Sequence, residues 1–205
     1  MTGLLSNGCD KRLFYSFKRE VFGLGWKEKA LLMDEQAMRR AITRISFEIV
    51  EQNRGTDALC LIGVRRRGAV LAELVAEQIE KSEGARPPLG VLDITYYRDD
   101  RREKGTPDVG ETEIGFDLND KRVVLIDDVL FTGRTVRAAI DAIMDIGRPK
   151  SIALAVLVDR GHRELPFRPD FVGKNVPTSR SEVVKVMVDE YDGCYRVAIG
   201  DACDC

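Results

Sequence analysis

The chain has 205 residues, of which 44% are hydrophobic and 32% are charged, and its formal net charge is −2. This length and composition suit one globular domain with small additions. The balanced charge excludes nucleic-acid binding through overall charge, so any such binding needs a local basic patch. No apolar run is long enough to span a membrane, and basic residues interrupt the N-terminal segment, which excludes a secretory signal. Five scattered cysteines predict a reducing, cytoplasmic location without a disulfide framework.

Residues 1–30 mix glycine, aromatic and basic residues without a clear period, and we interpret them as an appended, disordered segment. Folded structure is predicted for residues 31–199, followed by a short tail at 200–205. Asp34 is a good helix N-cap, and apolar residues recur at helical spacing from Ala37 to Ile49. Gly55 ends this predicted helix.

Apolar runs and amphipathic runs then alternate along the chain. Continuous apolar runs predict buried strands at 58–64, 122–127 and 152–158, and further strands are predicted at 89–97, 171–176, 183–188 and 195–199. Helices are predicted at 70–79 and 135–146. This order predicts an α/β fold with a mainly parallel sheet, in which ligands bind beyond the carboxyl ends of the strands. The polar stretch 98–115 is predicted to be a long functional loop.

The run 123–135 carries the strongest functional signal. An apolar strand ends in two acids, a short turn follows, and a Thr-Gly-Arg-Thr sequence begins a helix. Unpaired N–H groups at a helix N-terminus bind phosphate, threonine hydroxyls add donors, and glycine permits close backbone approach. The expected phosphate contacts are Val129, Thr132, Gly133, Arg134 and Thr135.

The two acids, Asp127 and Asp128, suit a vicinal diol, because each carboxylate accepts hydrogen bonds from ribose hydroxyls. Together the features predict a ribose-5-phosphate cradle. The alternative is a strand–turn–helix capped by Asp and Thr that binds no ligand. A Walker loop and a G-x-G-x-x-G dinucleotide fingerprint are both absent.

This run resembles the 5-phosphoribosyl-1-pyrophosphate (PRPP) signature of type I phosphoribosyltransferases. The resemblance implies a parallel sheet flanked by helices, a small hood, a pyrophosphate loop, often with a strained non-proline cis peptide, and a mobile flap. By position, the pyrophosphate loop corresponds to Arg65, Arg66, Arg67 and Gly68, and the flap anion contacts correspond to Arg98, Arg101 and Arg102. It also implies a catalytic role for Asp127, Asp128 and Arg67, and Mg²⁺ held mainly through PRPP.

Four further segments resemble the PyrR family of pyrimidine-operon regulators: 34–37, 93–100, 158–166 and 173–179. The resemblance spans roughly residues 32–199. It implies a uracil phosphoribosyltransferase, converting uracil and PRPP to UMP and pyrophosphate, that also binds pyrimidine-operon messenger RNA leaders when charged with UMP or UTP. The base is expected under the hood near Val158, Asp159 and Arg160.

The resemblance also implies an RNA-binding basic face and a homodimer or higher homo-oligomer. The candidate RNA contacts are Arg39, Arg40, Arg44, Arg163, Arg168 and Lys174; the alternative is ordinary solvated charge. His162, the single histidine, is expected in a structural or RNA-facing role rather than a catalytic one. Two other functions stay open: a phosphoribosyltransferase for another base without an RNA role, and an RNA-binding regulator whose site only senses nucleotide.

Overall fold

The computed structural model describes residues 26–97 and 112–202. Its elements in chain order are β1 (Trp26–Met33), α1 (Glu35–Asn53), β2 (Leu59–Val64), α2 (Arg67–Glu83), β3 (Leu89–Leu92), β4 (Arg122–Leu130), α3 (Arg134–Ile146), β5 (Ser151–Asp159), β6 (Phe171–Asn175), β7 (Glu182–Met187), α4 (Asp189–Asp192) and β8 (Arg196–Ala202). Five of the strands form one sheet in the order β3-β2-β4-β5-β6. All neighbours in this sheet are parallel, which confirms the predicted α/β class.

The central sheet is buried on both faces because β2 and the middle of β4 and of β5 are continuous apolar runs. Successive side chains of a strand point to opposite faces. Leu59 and Leu61 accordingly join the cluster formed with α1 and α2, whereas Cys60 and Ile62 join the cluster formed with α3. Helices therefore cover both faces, and the carboxyl ends of the strands lie together at one edge.

A second, antiparallel sheet in the order β1-β8-β7 makes up the hood sheet. Val184 and Val186 from β7 and Val197 and Ile199 from β8 pack into the same cluster as α1. The hood that the family resemblance implied is thus built from the two ends of the folded chain.

The predicted domain bounds, 31–199, are narrower than the described strands. β1 already starts at Trp26, and β8 extends to Ala202. Most of β1 is exposed at the edge of the hood sheet, so it carries charged side chains and lacks the apolar alternation that would mark it as a strand. Residues 1–25 and 203–205, which hold Cys203 and Cys205, lie outside the described residues.

The predicted strand at 89–97 is also too long. β3 ends at Leu92, and a 3-10 turn follows at Thr95–Tyr97. The Asp93 carboxylate accepts hydrogen bonds from the backbone N–H of Thr95 at 2.8 Å and from its hydroxyl at 2.5 Å. Such local side-chain bonds offer the backbone an alternative to a strand.

Gly173 in β6 provides a test of this packing. A Cβ atom at this position would lie 2.4 Å from the carbonyl oxygen of Leu157 in β5. We expect Gly173→Ala to lower the free energy of unfolding by about 1–3 kcal/mol, since overpacking forces the strands apart. Urea denaturation measures the change.

Gly115→Ala is the matched control, because a Cβ at Gly115 meets no atom within 4 Å. Equal stability of the two variants would contradict the close β5–β6 approach.

Candidate active site

A cavity of about 300 Å³ opens at the carboxyl end of β4. It follows the chain from the strand end through the turn to the start of α3. Its lining residues are Asp127, Val129, Leu130, Phe131, Thr132, Gly133, Arg134, Thr135 and Glu164. The structure thus brings together the acid at the strand end and the Thr-Gly-Arg-Thr turn, as the motif predicted.

The N-terminus of α3 has the geometry of an anion site. Gly133 is its N-cap with φ 93°, and no side chain caps the helix. The Thr132 hydroxyl is 3.4 Å from the N–H of Arg134, which is a long contact. A Cβ on Gly133 would approach Phe167 at 3.1 Å and Leu165 at 3.3 Å. Glycine is therefore required here both by the positive φ and by the neighbouring loop.

The loop after β5 closes one side of the cavity. The N–H groups of Glu164 and Leu165 donate to the carbonyl oxygen of Thr132 at 3.0 and 2.9 Å. The Glu164 carboxylate accepts from Nε of Arg134 at 2.9 Å. Glu164 lies in the segment 158–166 that resembles the PyrR family, but no site role was predicted for it. Nothing in the sequence pairs it with Arg134, which lies 30 positions earlier.

The acid pair is largely enclosed. Asp127 is 8% exposed. Its Oδ1 accepts from the N–H of Asp128 at 2.9 Å, and Oδ1 of Asp128 accepts from the N–H of Val129 at 2.8 Å. Asp128 is partly exposed as a residue, but protein atoms surround its carboxyl group, and this burial raises its pKa. The hydrogen bonds and the charge of Arg67 oppose that rise without cancelling it.

The predicted pyrophosphate loop lies beside the acids. A Cβ on Gly68 would be 2.7 Å from the carbonyl oxygen of Ile126 and 3.3 Å from Cα of Asp127. Arg66 has φ 74°, and no cis peptide bond occurs in the described residues, so the strain in this loop takes a different form from the expected one. Arg65 is 3.8 Å from Asp93, whereas Arg67 forms a close pair with Asp192 in α4. Asp192 was not predicted as a site residue.

The expected base-binding residues lie at the end of β5, in the central sheet rather than in the hood sheet. Val158 is fully buried. Asp159 accepts from the Gly161 N–H and from Arg163. The Arg160 guanidinium lies 4.0 Å from the centre of the Phe131 ring and bonds Thr178 and Ser179. Burial lowers the pKa of Arg160.

His162 shares this packing. Its ring lies edge-on to the Phe131 ring, with 6.2 Å between the two ring centres. Its Nε2 lies 2.5 Å from the carbonyl oxygen of Thr178. A carbonyl oxygen only accepts hydrogen bonds, so Nε2 carries the proton that it donates. These contacts place His162 in the packing between Phe131, which follows β4, and Thr178, which follows β6.

The two groups of basic residues are neighbours. Nη2 of Arg44 in α1 donates to the carbonyl oxygens of Val172 and Gly173 in β6, both at 2.8 Å. Lys174 of β6 is exposed and donates to the Leu32 carbonyl, and Arg39 pairs with Glu35. Arg40 and Arg168 are exposed.

Arg163 has surroundings unlike those of its exposed neighbours. Its guanidinium donates to the carbonyl oxygens of Leu130, Phe131, Gly161 and Phe167 and to the Asp159 carboxylate. These bonds join the loop after β5 to the end of β4, which makes Arg163 an internal link of the site wall.

Several expectations concern residues or groups away from this cavity. Arg98, Arg101 and Arg102 of the predicted flap lie outside the described residues. Within the described ranges no cluster of three or more potential metal ligands occurs, and no helix is long and apolar enough to cross a membrane. Burial raises the pKa of Cys60 to about 11, so this thiol is an unreactive core residue, as expected.

Comparison with known proteins agrees with this site. A family model described as phosphoribosyl transferase domain matches residues 31–190, and the chain therefore belongs to the phosphoribosyltransferase family. Its curated relatives include proteins named "Bifunctional protein PyrR" from Caldicellulosiruptor bescii, 62% identical over 169 residues, and from Thermus thermophilus, 62% identical over 172 residues. These alignments cover 82% and 83% of this chain and 93% and 95% of the relatives. Within its family the chain is a member of the PyrR proteins.

Solved structures share the fold at much lower identity. A hypoxanthine phosphoribosyltransferase from Staphylococcus aureus is 18% identical with a TM-score of 0.64, and covers 85% of this chain and 93% of its own. One from Trypanosoma cruzi is 16% identical with a TM-score of 0.65, and covers 86% of this chain and 98% of its own. This similarity shows the type I phosphoribosyltransferase fold.

The raised pKa of Asp128 predicts a stability effect. At neutral pH the unfolded chain ionises this carboxyl more readily than the folded protein does, so folded stability falls as pH rises through the raised pKa. We expect Asp128→Asn to raise the melting temperature of the ligand-free protein at pH 7 by about 2–4 °C, equivalent to about 1 kcal/mol. The gain in melting temperature should shrink as the pH is lowered towards the ordinary aspartate pKa, because the folded and the unfolded protein then both bind the proton.

Asp141→Asn is the control, because this exposed acid pairs only with Arg137 at 3.6 Å across one helical turn. Thermal unfolding at several pH values makes the comparison. A lower melting temperature for Asp128→Asn at pH 7 would contradict the pKa assignment.

Proposed function

We propose that the protein transfers the phosphoribosyl group of PRPP to uracil, forming UMP and pyrophosphate, and that it binds pyrimidine-operon messenger RNA in a UMP-dependent manner. One observation carries the enzymatic half: a single cavity joins an uncapped helix N-terminus to Asp127, the first acid of the Asp127-Asp128 pair. Membership of the PyrR proteins supports both halves, since the relatives are named as bifunctional.

The 5′-phosphate of PRPP is bound at the start of α3. The N–H groups of the first turn point into the cavity, and the helix dipole favours a negative ligand there. The hydroxyls of Thr132 and Thr135 add donors. Phosphate at this point fixes the ribose ring over the end of β4.

Asp127 and Asp128 then receive the ribose hydroxyls. As the bond from C1 to the pyrophosphate oxygen breaks, the ribose gains oxocarbenium character. Two carboxylates in a partly enclosed site stabilise this positive charge more strongly than they would in water. The cost is the raised pKa of Asp128 in the ligand-free protein, because its ionised form lacks full solvation.

Pyrophosphate leaves towards the loop between β2 and α2. Arg65 and Arg67 provide guanidinium groups for its oxygens, and Gly68 permits the loop to lie against the end of β4. The family resemblance implies Mg²⁺ held mainly through PRPP, whose oxygens suit this cation. When bound, Mg²⁺ would neutralise charge on the pyrophosphate.

The base-binding side is the end of β5. Asp159 and Arg160 use their side chains within the protein, so base recognition by this segment falls to backbone groups. No general base is needed if departure of pyrophosphate leads the reaction. Transfer to a purine is the competing enzymatic function, and a PRPP-dependent assay with uracil, hypoxanthine and guanine decides between them.

Replacing both Asp127 and Asp128 by Asn tests the enzymatic half. We expect kcat for UMP formation to fall by at least about 100-fold, since positioned electrostatic groups contribute on that scale. The fold should persist, because amides keep the acceptors that cap Asp128 and Val129.

Circular dichroism and the melting temperature check the fold, and Asp141→Asn provides the surface-acid control. Activity near that of the parent protein in the double variant would contradict the proposed role of the acid pair in phosphoribosyl transfer.

The regulatory half rests on the basic surface formed by α1 and β6. Arg40 of α1 and Lys174 of β6 are exposed, as is Arg168 in the loop before β6, and the Arg44 bonds to β6 hold the two elements together. Because the net charge is −2, affinity for RNA must come from such a local concentration of cations. Dimerisation about a two-fold axis would double this surface.

A charge-matched pair of variants tests this surface. We expect Arg168→Ala with Lys174→Ala to weaken binding of an upstream pyrimidine-gene leader. The slope of the logarithm of the binding constant against the logarithm of salt concentration should become shallower by about one for each lost phosphate contact. Lys81→Ala with Lys150→Ala removes the same charge from exposed positions outside this surface.

Filter binding at two salt concentrations, with and without UMP, gives both quantities. Equal losses in the two double variants, or equal affinity for an unrelated RNA of the same length, would contradict RNA recognition by the α1–β6 surface.

A further inference from the structure

The Arg67 guanidinium donates hydrogen bonds to the carboxylate of Asp192, in the α4 turn of the hood. Its Nη2 lies 2.9 and 3.1 Å from the two oxygens of Asp192, and its Nε lies 3.2 Å from one of them. Asp192 is 7% exposed, whereas Arg67 is 34% exposed. A buried acid thus binds the Nε and Nη2 edge of a partly exposed guanidinium.

Asp192 is itself fixed in place. One of its oxygens also accepts the N–H of Val188 at 3.0 Å, which ties the carboxylate to the chain at the end of β7. The α4 turn that carries it is closed by the Gly193 N–H, which donates to the carbonyl oxygen of Asp189 at 2.8 Å. The acid therefore presents a fixed orientation to Arg67.

Arg67 lies near the acid pair. The next residue, Gly68, packs against the end of β4, where a Cβ on it would lie 3.3 Å from Cα of Asp127. The charge of Arg67 lowers the pKa of Asp128, so the two groups lie within electrostatic range. The three hydrogen bonds to Asp192 described above use Nε and Nη2 of Arg67, on one edge of the guanidinium.

Lys185 of β7 completes this cluster. Its ammonium lies 4.5 Å from the centre of the Trp26 ring, and burial, followed by the charge of Arg67, lowers its pKa. Asp192 opposes that shift. Asp192 therefore lies within electrostatic range of two cations, and it forms a two-point pair with Arg67.

We propose that Asp192 is a positioning residue for phosphoribosyl transfer: it holds the Nε and Nη2 edge of Arg67 so that the Nη1 edge faces the pyrophosphate of PRPP. This inference rests on the proposed function, in which Arg67 contacts pyrophosphate. Two-point guanidinium–carboxylate pairing fixes orientation as well as charge. A partner behind a ligand-binding group commonly changes affinity or activity by about 10- to 100-fold when it is lost.

A double-mutant cycle tests the proposal. The variants are Asp192→Asn, Arg67→Gln and the two combined. Glu190→Gln is the control, because Glu190 lies in the same turn and accepts a hydrogen bond from Tyr195 at 3.3 Å. We expect Asp192→Asn to raise both the KM for PRPP and the Kd for magnesium pyrophosphate by about tenfold. The KM for uracil should stay unchanged, and the substitution should add nothing in the Arg67→Gln background.

Arg67→Lys provides a second measurement that does not depend on folding of the Asp192 variant. Lysine keeps the positive charge but cannot form the two-point pair that a guanidinium forms with a carboxylate. The Kd of Arg67→Lys for magnesium pyrophosphate should therefore approach that of Asp192→Asn. Parent-like affinity in Arg67→Lys, or additive losses in the cycle, would overturn the inference. If Arg67→Gln itself left pyrophosphate binding unchanged, the proposed contact of Arg67 with pyrophosphate would fail instead.

Discussion

The parallel pairing of β2 with β4 is the constraint on which the site depends. Its register sets Gly63 beside Ile126, so the chain leaving β2 emerges next to the acids that end β4. A loop in this position must lie against the neighbouring strand, and Gly68 permits this because any Cβ would meet the Ile126 carbonyl. The Thr-Gly-Arg-Thr turn, the acid pair and the arginine loop thus come together through one register.

The cost of this arrangement falls on the ligand-free protein. Two adjacent carboxyl groups, an uncapped helix N-terminus and a backbone strained at Arg66 each lower stability locally. The two apolar clusters on either side of the central sheet compensate for this cost. The proposed ligand, which carries phosphate and hydroxyl groups, would match the helix N-terminus and the acid pair with favourable contacts.

Local sequence signals predicted much of this structure. Apolar runs located the buried strands, and the 123–135 motif identified the phosphate turn because its chemistry is contiguous in the chain. The signals failed where partners are distant in sequence. β1 is exposed and charged, so only its pairing with β8 reveals it as a strand. The Arg67–Asp192 pair likewise joins positions 125 residues apart, which no local pattern encodes.

The hood joins the two ends of the folded chain, since Trp26 in β1 lies opposite Ala202 in β8. During synthesis on the ribosome, the central sheet from β2 to β6 can be complete before β7 and β8 have left the exit tunnel. During that interval β1 has no β8 with which to pair. The phosphate turn can therefore form early in the life of the nascent chain, whereas the acid that grips Arg67 arrives only with the final segment.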